Sequence, residues 1–331
     1  MESCKPRGRG SVAVLLVAVC LAGCSGGRSQ KTKVSIDGSS TLYPVSQAVA
    51  EEFQNTHQGV YVTVGISGTG GGFKKFLAAE TDINDASRPI KQKELQLAEE
   101  KGIQFLELPV AYDGLTVVVH PKNDFVDHLT VEELKKIWEP GSKVRTWKDV
   151  RPQWPDREIK LYGPGTDSGT FDYFTEAIVG KAGQSRSDYQ ASEDDNVLVT
   201  GVSSDVDALG YFGFSYYVEN RDKLKAVPID GGRGPVAPSL ETVKSGRYVP
   251  LSRPLFIYVS LRSLQRPEVQ QFVQFYLEEC PVLAKEVGYI PLSEAIYQLV
   301  RQRFQRRIPG TMFQGVEGAV DLEKLLRESM K

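Results

Sequence analysis

The chain has 331 residues and nearly balanced charge, with 40 basic and 42 acidic side chains and a formal net charge of −2. Its hydrophobic fraction of 40% is that of a core-forming protein and excludes a disordered or collagen-like chain. The length is enough for two lobes of roughly 150 residues each. Because the charge is balanced, the chain lacks the basic footprint of a nucleic-acid-binding protein, and no nucleic-acid partner is expected.

The N-terminus has the pattern of a secretory signal peptide. Basic residues precede an apolar run over residues 12–22, which is shorter than the ~20 residues of a membrane-spanning helix. The run ends in Leu-Ala-Gly-Cys24, which resembles the lipobox of bacterial lipoproteins, where the cysteine is acylated. An ordinary signal peptide with a chance cysteine is the alternative. We predict a signal peptide over residues 1–23, a lipid such as palmitate on Cys24, and a flexible tether over residues 24–33.

The four cysteines leave no disulfide framework in the mature chain. Cys4 and Cys20 leave with the signal peptide, and Cys24 is the predicted lipid site. Cys280 remains, within an apolar helical pattern, and the three histidines lie in unrelated, loop-like settings. We therefore expect Cys280 to be a buried packing residue rather than a nucleophile, and we expect no metal site.

Strands and helices alternate along the mature chain, which favours an α/β fold with largely parallel sheets. Alternating or fully apolar runs predict strands at residues 33–36, 60–66, 115–119, 159–162, 209–214 and 255–259. Helical spacing predicts helices at residues 42–53, 73–77, 130–138 (opened by a Thr130–Glu133 capping box) and 171–178, and over most of residues 267–304. The four arginines within residues 301–307 are expected on a solvated helix face.

Three strand-to-helix junctions are rich in glycine and hydroxyl residues: residues 37–42 (DGSSTL), 67–72 (SGTGGG) and 163–170 (GPGTDSGT). A helix N-terminus presents unpaired N–H groups, glycine lets an anion approach the backbone, and Ser and Thr add neutral donors. Each junction taken alone is also compatible with a helix cap or a tight turn. Since all three follow strands, where ligands of open α/β sheets bind, together they predict one anion site.

A fourth segment, residues 82–89, supplies Ser87 and Arg88. A guanidinium can fork two oxygens of a tetrahedral oxyanion, and the alternative for Arg88 is an ion pair with a neighbouring carboxylate. Micromolar binding needs about −8 kcal/mol overall. Because each charge-assisted hydrogen bond contributes roughly 1.5–3 kcal/mol, one arginine is insufficient and a ring of about six donors is required.

Four segments closely resemble the periplasmic phosphate-binding proteins of high-affinity phosphate ABC transporters, in particular their lipoprotein branch. They are residues 37–44 (DGSSTLYP), 65–76 (GISGTGGGFKKF), 86–90 (ASRPI) and 167–170 (DSGT). The likeness spans nearly the whole mature chain. It implies a two-lobed periplasmic-binding-protein fold of type II, with two chain crossings, that closes over one phosphate. We expect lobe 1 to comprise residues 34–110 and 250–331, and lobe 2 residues 111–249.

The resemblance also implies which residues hold the phosphate. They are Ser40, Thr41 and Leu42 of the first junction, Thr69, Gly70 and Gly71 of the second, Ser87 and Arg88 of the fourth segment, and Asp167, Ser168, Gly169 and Thr170 of the third junction. Hydroxyls, backbone N–H groups and one guanidinium would thus surround the anion.

The sequence departs from the best-known members of the family at two positions. Arg88 stands where they have an aspartate that accepts the phosphate proton, and Pro164 stands where they have an arginine. A buried carboxylate acceptor would favour phosphate, which carries a proton at neutral pH, over sulfate, which does not. Our preferred acceptor is Asp167, with Asp37 and Asp85 as further candidates.

These observations predict an exported, monomeric binding protein, lipid-anchored on the outer face of the cell membrane or in the periplasm. It would carry inorganic phosphate, without a cofactor, to an ABC permease with a separate ATPase. A binding protein for sulfate, molybdate or tungstate is the alternative. An enzyme is disfavoured because Gly65-Ile-Ser-Gly-Thr69 departs from the Gly-x-Ser-x-Gly pattern at its last position, and no histidine lies near a hydroxyl-rich junction.

Overall fold

The computed structural model describes Met1 and residues 32–166, 168–314 and 321–331. The rest of the predicted signal peptide, Cys24 and the tether up to residue 31 lie outside the described residues, and so does Asp167. Within the described ranges, no helix has both the length and the apolar character needed to span a bilayer.

Strands and helices alternate along the chain, as predicted. The strands are β1 (Thr32–Gly38), β2 (Val60–Ile66), β3 (Ile83–Ala86), β4 (Phe105–Val119), β5 (Leu129–Thr130), β6 (Lys160–Pro164), β7 (Gln190–Ser192), β8 (Ala208–Gly213), β9 (Lys225–Ala226), β10 (Ile229–Asp230), β11 (Pro235–Val236), β12 (Ser252–Ser260) and β13 (Ile290–Pro291). The helices are α1 (Tyr43–Thr56), α2 (Gly68–Phe76), α3 (Gln92–Glu100), α4 (Val131–Trp138), α5 (Trp147–Val150), α6 (Gly169–Phe174), α7 (Asp195–Ser204), α8 (Phe214–Glu219), α9 (Leu240–Lys244), α10 (Pro267–Glu286), α11 (Glu294–Gln305) and α12 (Leu322–Ser329). A π-helical turn, Thr175–Val179, continues α6, and a 3₁₀ turn, Ser263–Gln265, precedes α10.

A mixed sheet forms the framework, in the strand order β2-β1-β3-β12-β4-β8-β6-β7. The long, buried β4 runs through both halves: residues 105–114 pair with β12, and residues 115–119 pair with β8. Pairing is parallel within β1–β3 and within β6–β8, as predicted, but the central strands β4 and β12 are antiparallel to their neighbours. The expectation of largely parallel sheets is therefore wrong at the centre, because chain order alone does not fix the direction of strands that cross between the two halves.

The second junction is helical rather than a loop. Helix α2 begins at Gly68, so most of the glycine-rich run lies within its first turns. A Cβ on Gly72 would stand 2.0 Å from the Asn84 Oδ1 atom and 2.6 Å from the Gly38 Cα atom. The glycines therefore let α2 lie directly against β1 and β3. This close packing is why a run rich in helix-disfavouring residues is helical here.

Arg303 corrects the expectation of a solvated face over residues 301–307. Its side chain lies on α11 and is only 1% exposed. It donates to the carbonyl oxygens of Glu107 and Gly310 at 3.2 and 2.7 Å and to the Ser329 hydroxyl at 3.0 Å. A buried guanidinium is tolerated when its donors are paired in this way. Arg303 therefore ties the C-terminal segment to β4.

Cys280 is buried on α10, which confirms its predicted role in packing. Its thiol donates to the Val110 carbonyl at 3.3 Å. Burial raises the pKa of this thiol to about 12, so it stays protonated at neutral pH and is a poor nucleophile.

The predicted capping box at the start of α4 is confirmed, and its energetic contribution can be measured. Glu133 N donates to Thr130 Oγ1 at 3.1 Å, and the Glu133 carboxylate accepts from Thr130 N at 2.8 Å. Thr130→Ala is expected to lower the free energy of unfolding by about 1 kcal/mol, the usual contribution of an N-cap. Urea unfolding measures this change. Thr200→Ala, at an exposed position within α7, is the control, and an equal loss in both variants would contradict the prediction.

Candidate functional site

A cavity of about 250 Å³ lies where the first junction, α2, the segment after β3 and α6 meet. Its lining consists of Ser39, Ser40, Thr41, Gly68, Thr69, Gly70, Ser87, Arg88, Lys91, Asp172, Tyr173, Glu176, Ala182 and Arg253. Six residues proposed from the sequence are among them: Ser40, Thr41, Thr69, Gly70, Ser87 and Arg88. Among the described residues, Leu42, Gly71, Ser168, Gly169 and Thr170 are not part of this lining.

The first and third junctions touch each other beside the cavity. Thr41 Oγ1 donates to the Gly169 carbonyl at 3.5 Å, and Ser40 Oγ donates to Asp172 Oδ2 at 3.1 Å. A Cβ on Gly169 would lie 2.9 Å from the Thr41 Cα atom. Ser168 caps α6 by accepting from Thr170 N at 3.2 Å. At Gly169 the third junction therefore meets the first through its own backbone, and the hydroxyl of Ser168 is used as a helix cap.

The second junction and the segment after β3 converge through two hydroxyls. Thr69 Oγ1 and Ser87 Oγ are 3.1 Å apart, and Ser87 N donates to Thr69 Oγ1 at 3.1 Å. Gly71 leaves room for Ser67, since a Cβ there would lie 2.9 Å from the Ser67 Oγ atom. The two segments, distant from the first junction in sequence, thus present hydroxyls to the same cavity.

Arg88 lines the cavity and also forms the ion pair that the sequence left open as an alternative. Its Nη1 and Nη2 atoms donate to the two carboxylate oxygens of Glu94 at 2.9 and 2.8 Å. Glu94 also accepts from Lys91 N at 2.7 Å at the start of α3. The fork of this guanidinium is therefore occupied by a carboxylate of its own segment.

The aspartates considered as proton acceptors have different surroundings. Asp37 accepts from Lys75 Nζ at 2.6 Å and from the Ser67 hydroxyl. Asp85 is completely buried, and burial, together with the nearby charge of Asp37, raises its pKa to about 7. Neither carboxylate belongs to the described lining of the cavity. The acidic side chains that do line it, Asp172 and Glu176, were missed by the sequence analysis.

Comparison with known proteins agrees with this architecture. A family model described as a PBP superfamily domain matches residues 25–279. Protein SphX from Synechocystis sp. is 50% identical over 95% of this chain and 94% of its own, and the phosphate-binding protein PstS from Staphylococcus saprophyticus is 40% identical over 85% and 88%. This chain belongs to the PBP superfamily.

A solved structure is similar to this PBP-superfamily chain over most of its length. The crystal structure of a possible phosphate binding protein from Planctomyces limnophilus is 52% identical, with a TM-score of 0.82 over 83% of this chain and 98% of that chain. The family resemblance and the two-lobed α/β fold predicted from the sequence are confirmed by these matches.

Arg253 is the main residue of this PBP-superfamily site that sequence reasoning missed. It lies at the start of β12, and its side chain is 15% exposed. Its Cζ atom stands 3.4 Å from the centre of the Tyr173 ring, and Nη2 donates to Thr41 Oγ1 at 3.0 Å. A signal was present in the sequence, because Ser-Arg-Pro occurs both at residues 87–89 and at residues 252–254.

Proposed function

We propose that this chain binds inorganic phosphate in the cavity and delivers it to a membrane ABC permease for import. The observation that carries the proposal is that Thr41 and Thr69, which come from separate junctions, line one small cavity. Hydroxyl and backbone donors can surround a tetrahedral anion without a strongly positive field. The 40% sequence identity with the phosphate-binding protein PstS from Staphylococcus saprophyticus, over 85% of this chain, supports phosphate as the anion.

The proposed phosphate-binding residues are those of the sequence analysis. They are Ser40, Thr41, Leu42, Thr69, Gly70, Gly71, Ser87, Arg88, Asp167, Ser168, Gly169 and Thr170. Leu42 is fully buried, so its contribution would be its backbone N–H rather than its side chain. Asp167 stays our proposed acceptor of the phosphate proton, since the carboxylate of Asp37 is already engaged by Lys75.

The proposed lobes are residues 34–110 with 250–331, and residues 111–249. The change of partner along β4, from β12 at residue 114 to β8 at residue 115, supports a crossing there. We further propose that the protein acts as a monomer without catalysis or cofactor, held outside the cytoplasm by a lipid on Cys24. The lipobox pattern of the sequence supports that anchor.

Calorimetric titration of the chain without its signal peptide tests the function directly. We expect phosphate to bind and sulfate to bind far more weakly between pH 5 and 9. Thr69→Val is expected to weaken phosphate binding about tenfold, the loss of one charge-assisted hydrogen bond. Thr200→Val, at an exposed position on α7, is the matched control. Preferential binding of sulfate, molybdate or tungstate, or an unchanged affinity of Thr69→Val, would contradict the proposal.

A further inference from the structure

Arg253 lies on β12 at the point where β4 changes its pairing partner, rather than on a binding loop. In the antiparallel pairing of β4 with β12, Arg253 stands opposite Asp113, and Ser252 stands opposite Gly114. From the next residue, Leu115, β4 pairs with β8 instead. A cation that lines the cavity is therefore fixed to the two strands that join the halves of the sheet.

The guanidinium of Arg253 has donors to spare. A guanidinium carries five N–H donors, and here Nη2 uses one on Thr41 Oγ1. Its Nε atom is buried and has no hydrogen-bond partner among the residues that the structure describes. Its two ion pairs are long: Nε lies 3.6 Å from Asp113 Oδ2, and Nη1 lies 3.5 Å from Glu176 Oε2, beyond the usual hydrogen-bond distance. Arg253 is therefore held less tightly by carboxylates than Arg88, whose Nη atoms lie 2.9 and 2.8 Å from the Glu94 oxygens, and its Nη groups keep N–H donors for an anion.

The position of this guanidinium is set before any ligand arrives. It stacks on the ring of Tyr173, whose hydroxyl donates to the Pro250 carbonyl at 2.7 Å. A planar guanidinium held on an aromatic face loses little further freedom when it binds an anion. Arg253 is therefore pre-oriented toward the cavity that Thr41 also lines.

Asp113 is the charge that faces Arg253 from β4. Its carboxylate is nearly buried, at 5% exposure, and the other ionisable groups facing it are Tyr173 and Tyr289. A buried guanidinium without an opposite charge would be costly, so Asp113 stabilises Arg253 in this place. Burial raises the pKa of Asp113 to about 6, although the positive charge of Arg253 opposes that rise.

We propose that Arg253 is a further phosphate-binding residue of this site, and that Asp113 is the positioning residue that holds its guanidinium at the β4–β12 pairing. This inference rests on the proposed function and adds to it a cation supplied by the connecting strands. The unused Nη N–H groups of Arg253 donate to phosphate oxygens, while the Asp113 carboxylate faces Nε from behind, at 3.6 Å. Bound phosphate is then linked through Arg253 to β12 and β4, the strands that join the two halves of the sheet.

Titration of inorganic phosphate into variants of the same chain tests the assignment of Arg253. Arg253→Gln is expected to weaken binding about thirty-fold through the loss of charge-assisted hydrogen bonds. Arg253→Lys keeps the charge but lacks the fork, and it is expected to lose most of the same affinity. Arg262→Gln, at an exposed position just after β12, should bind like the unaltered protein. If Arg253→Gln does not fold, Arg253→Lys decides the question.

The role of Asp113 is tested by the ratio of the Asp113→Asn dissociation constant to that of the unaltered protein, since phosphate's own titration cancels in that ratio. We expect a ratio of about five to ten at pH 8, where Asp113 of the unaltered protein is ionised. The ratio should fall toward one at pH 5, where Asp113 is protonated and, like asparagine, carries no charge. A ratio independent of pH would indicate a merely structural role and overturn the positioning assignment. Phosphate binding within twofold of normal by the Arg253 variants would overturn the inference, whereas no binding by the unaltered protein would overturn the proposed function.

Discussion

Gly169→Ala is expected to weaken phosphate binding about a hundred-fold while leaving the protein folded. The added Cβ would lie 2.9 Å from the Thr41 Cα atom and 3.1 Å from the Thr41 N atom, so backbone rather than a flexible side chain blocks it. Overpacking of this kind costs about 3 kcal/mol at its upper range. Because the two junctions that touch here both flank the cavity, relief of the clash must move one of them away from the ligand. Calorimetric titration with phosphate measures the loss.

The control for this variant is Gly213→Ala. Gly213 lies at the start of another short helix, just before α8. A Cβ there would lie 3.7 Å from its nearest described heavy atom, which is an ordinary contact. We expect Gly213→Ala to bind phosphate normally, and Gly169→Ala to unfold cooperatively but at a lower urea concentration than Gly213→Ala. Normal binding by Gly169→Ala would show that the two junctions need not approach each other for the anion to be held.

The parts of the site that could be predicted from the sequence are those with a local cause. A strand end, glycines and hydroxyls within a few residues suffice to indicate the first and third junctions, and a capping box indicates α4. The ion pair of Arg88 is also local, because Glu94 is six residues away on the next helix. Local patterns of this kind can be recognised before any tertiary contact is known.

The parts that could not be predicted depend on contacts between distant segments. Arg253 belongs to a Ser-Arg-Pro run like that of Arg88, yet its role follows from Thr41 and Asp113, far away in the chain. Arg303 reads as an exposed helix residue until β4 and the C-terminal helix close around it. The first ten residues of β4 were missed because Glu107, which is buried there, interrupts the apolar pattern. A buried charge with distant partners thus masks a strand that its periodicity would otherwise reveal.

Asp85→Asn is expected to stabilise the protein at pH 8 and to leave it nearly unchanged at pH 4. Asp85 lies on β3, where its carbonyl accepts from Ser39 N at 3.0 Å beside the first junction. Its carboxylate is completely buried, and within the described part of the chain neither oxygen has a well-formed hydrogen bond, although the nearby Ser46 hydroxyl offsets part of the rise in its pKa. Burial raises its pKa from 3.8 to about 7. The native protein therefore holds a proton on Asp85 over a pH range in which the unfolded chain has lost it.

The sign of the pH dependence follows from that proton. As pH rises from about 4 to about 7, the unfolded chain gains stability from ionisation that the folded protein cannot share, so the free energy of unfolding falls. Across this range the free energy of unfolding falls by about 4 kcal/mol in total, since one pKa unit corresponds to about 1.4 kcal/mol. Asparagine has nearly the same shape and does not ionise, so the variant should lack this slope in urea unfolding measured at several pH values. Asp222→Asn, at an exposed position, should keep the same slope of stability against pH as the unaltered protein. The stability difference between Asp85→Asn and the unaltered protein could instead stay constant from pH 4 to 8. That result would mean that Asp85 ionises in the folded protein as it does in the unfolded chain. A negative charge would then lie beside the first junction and would oppose the binding of an anion there.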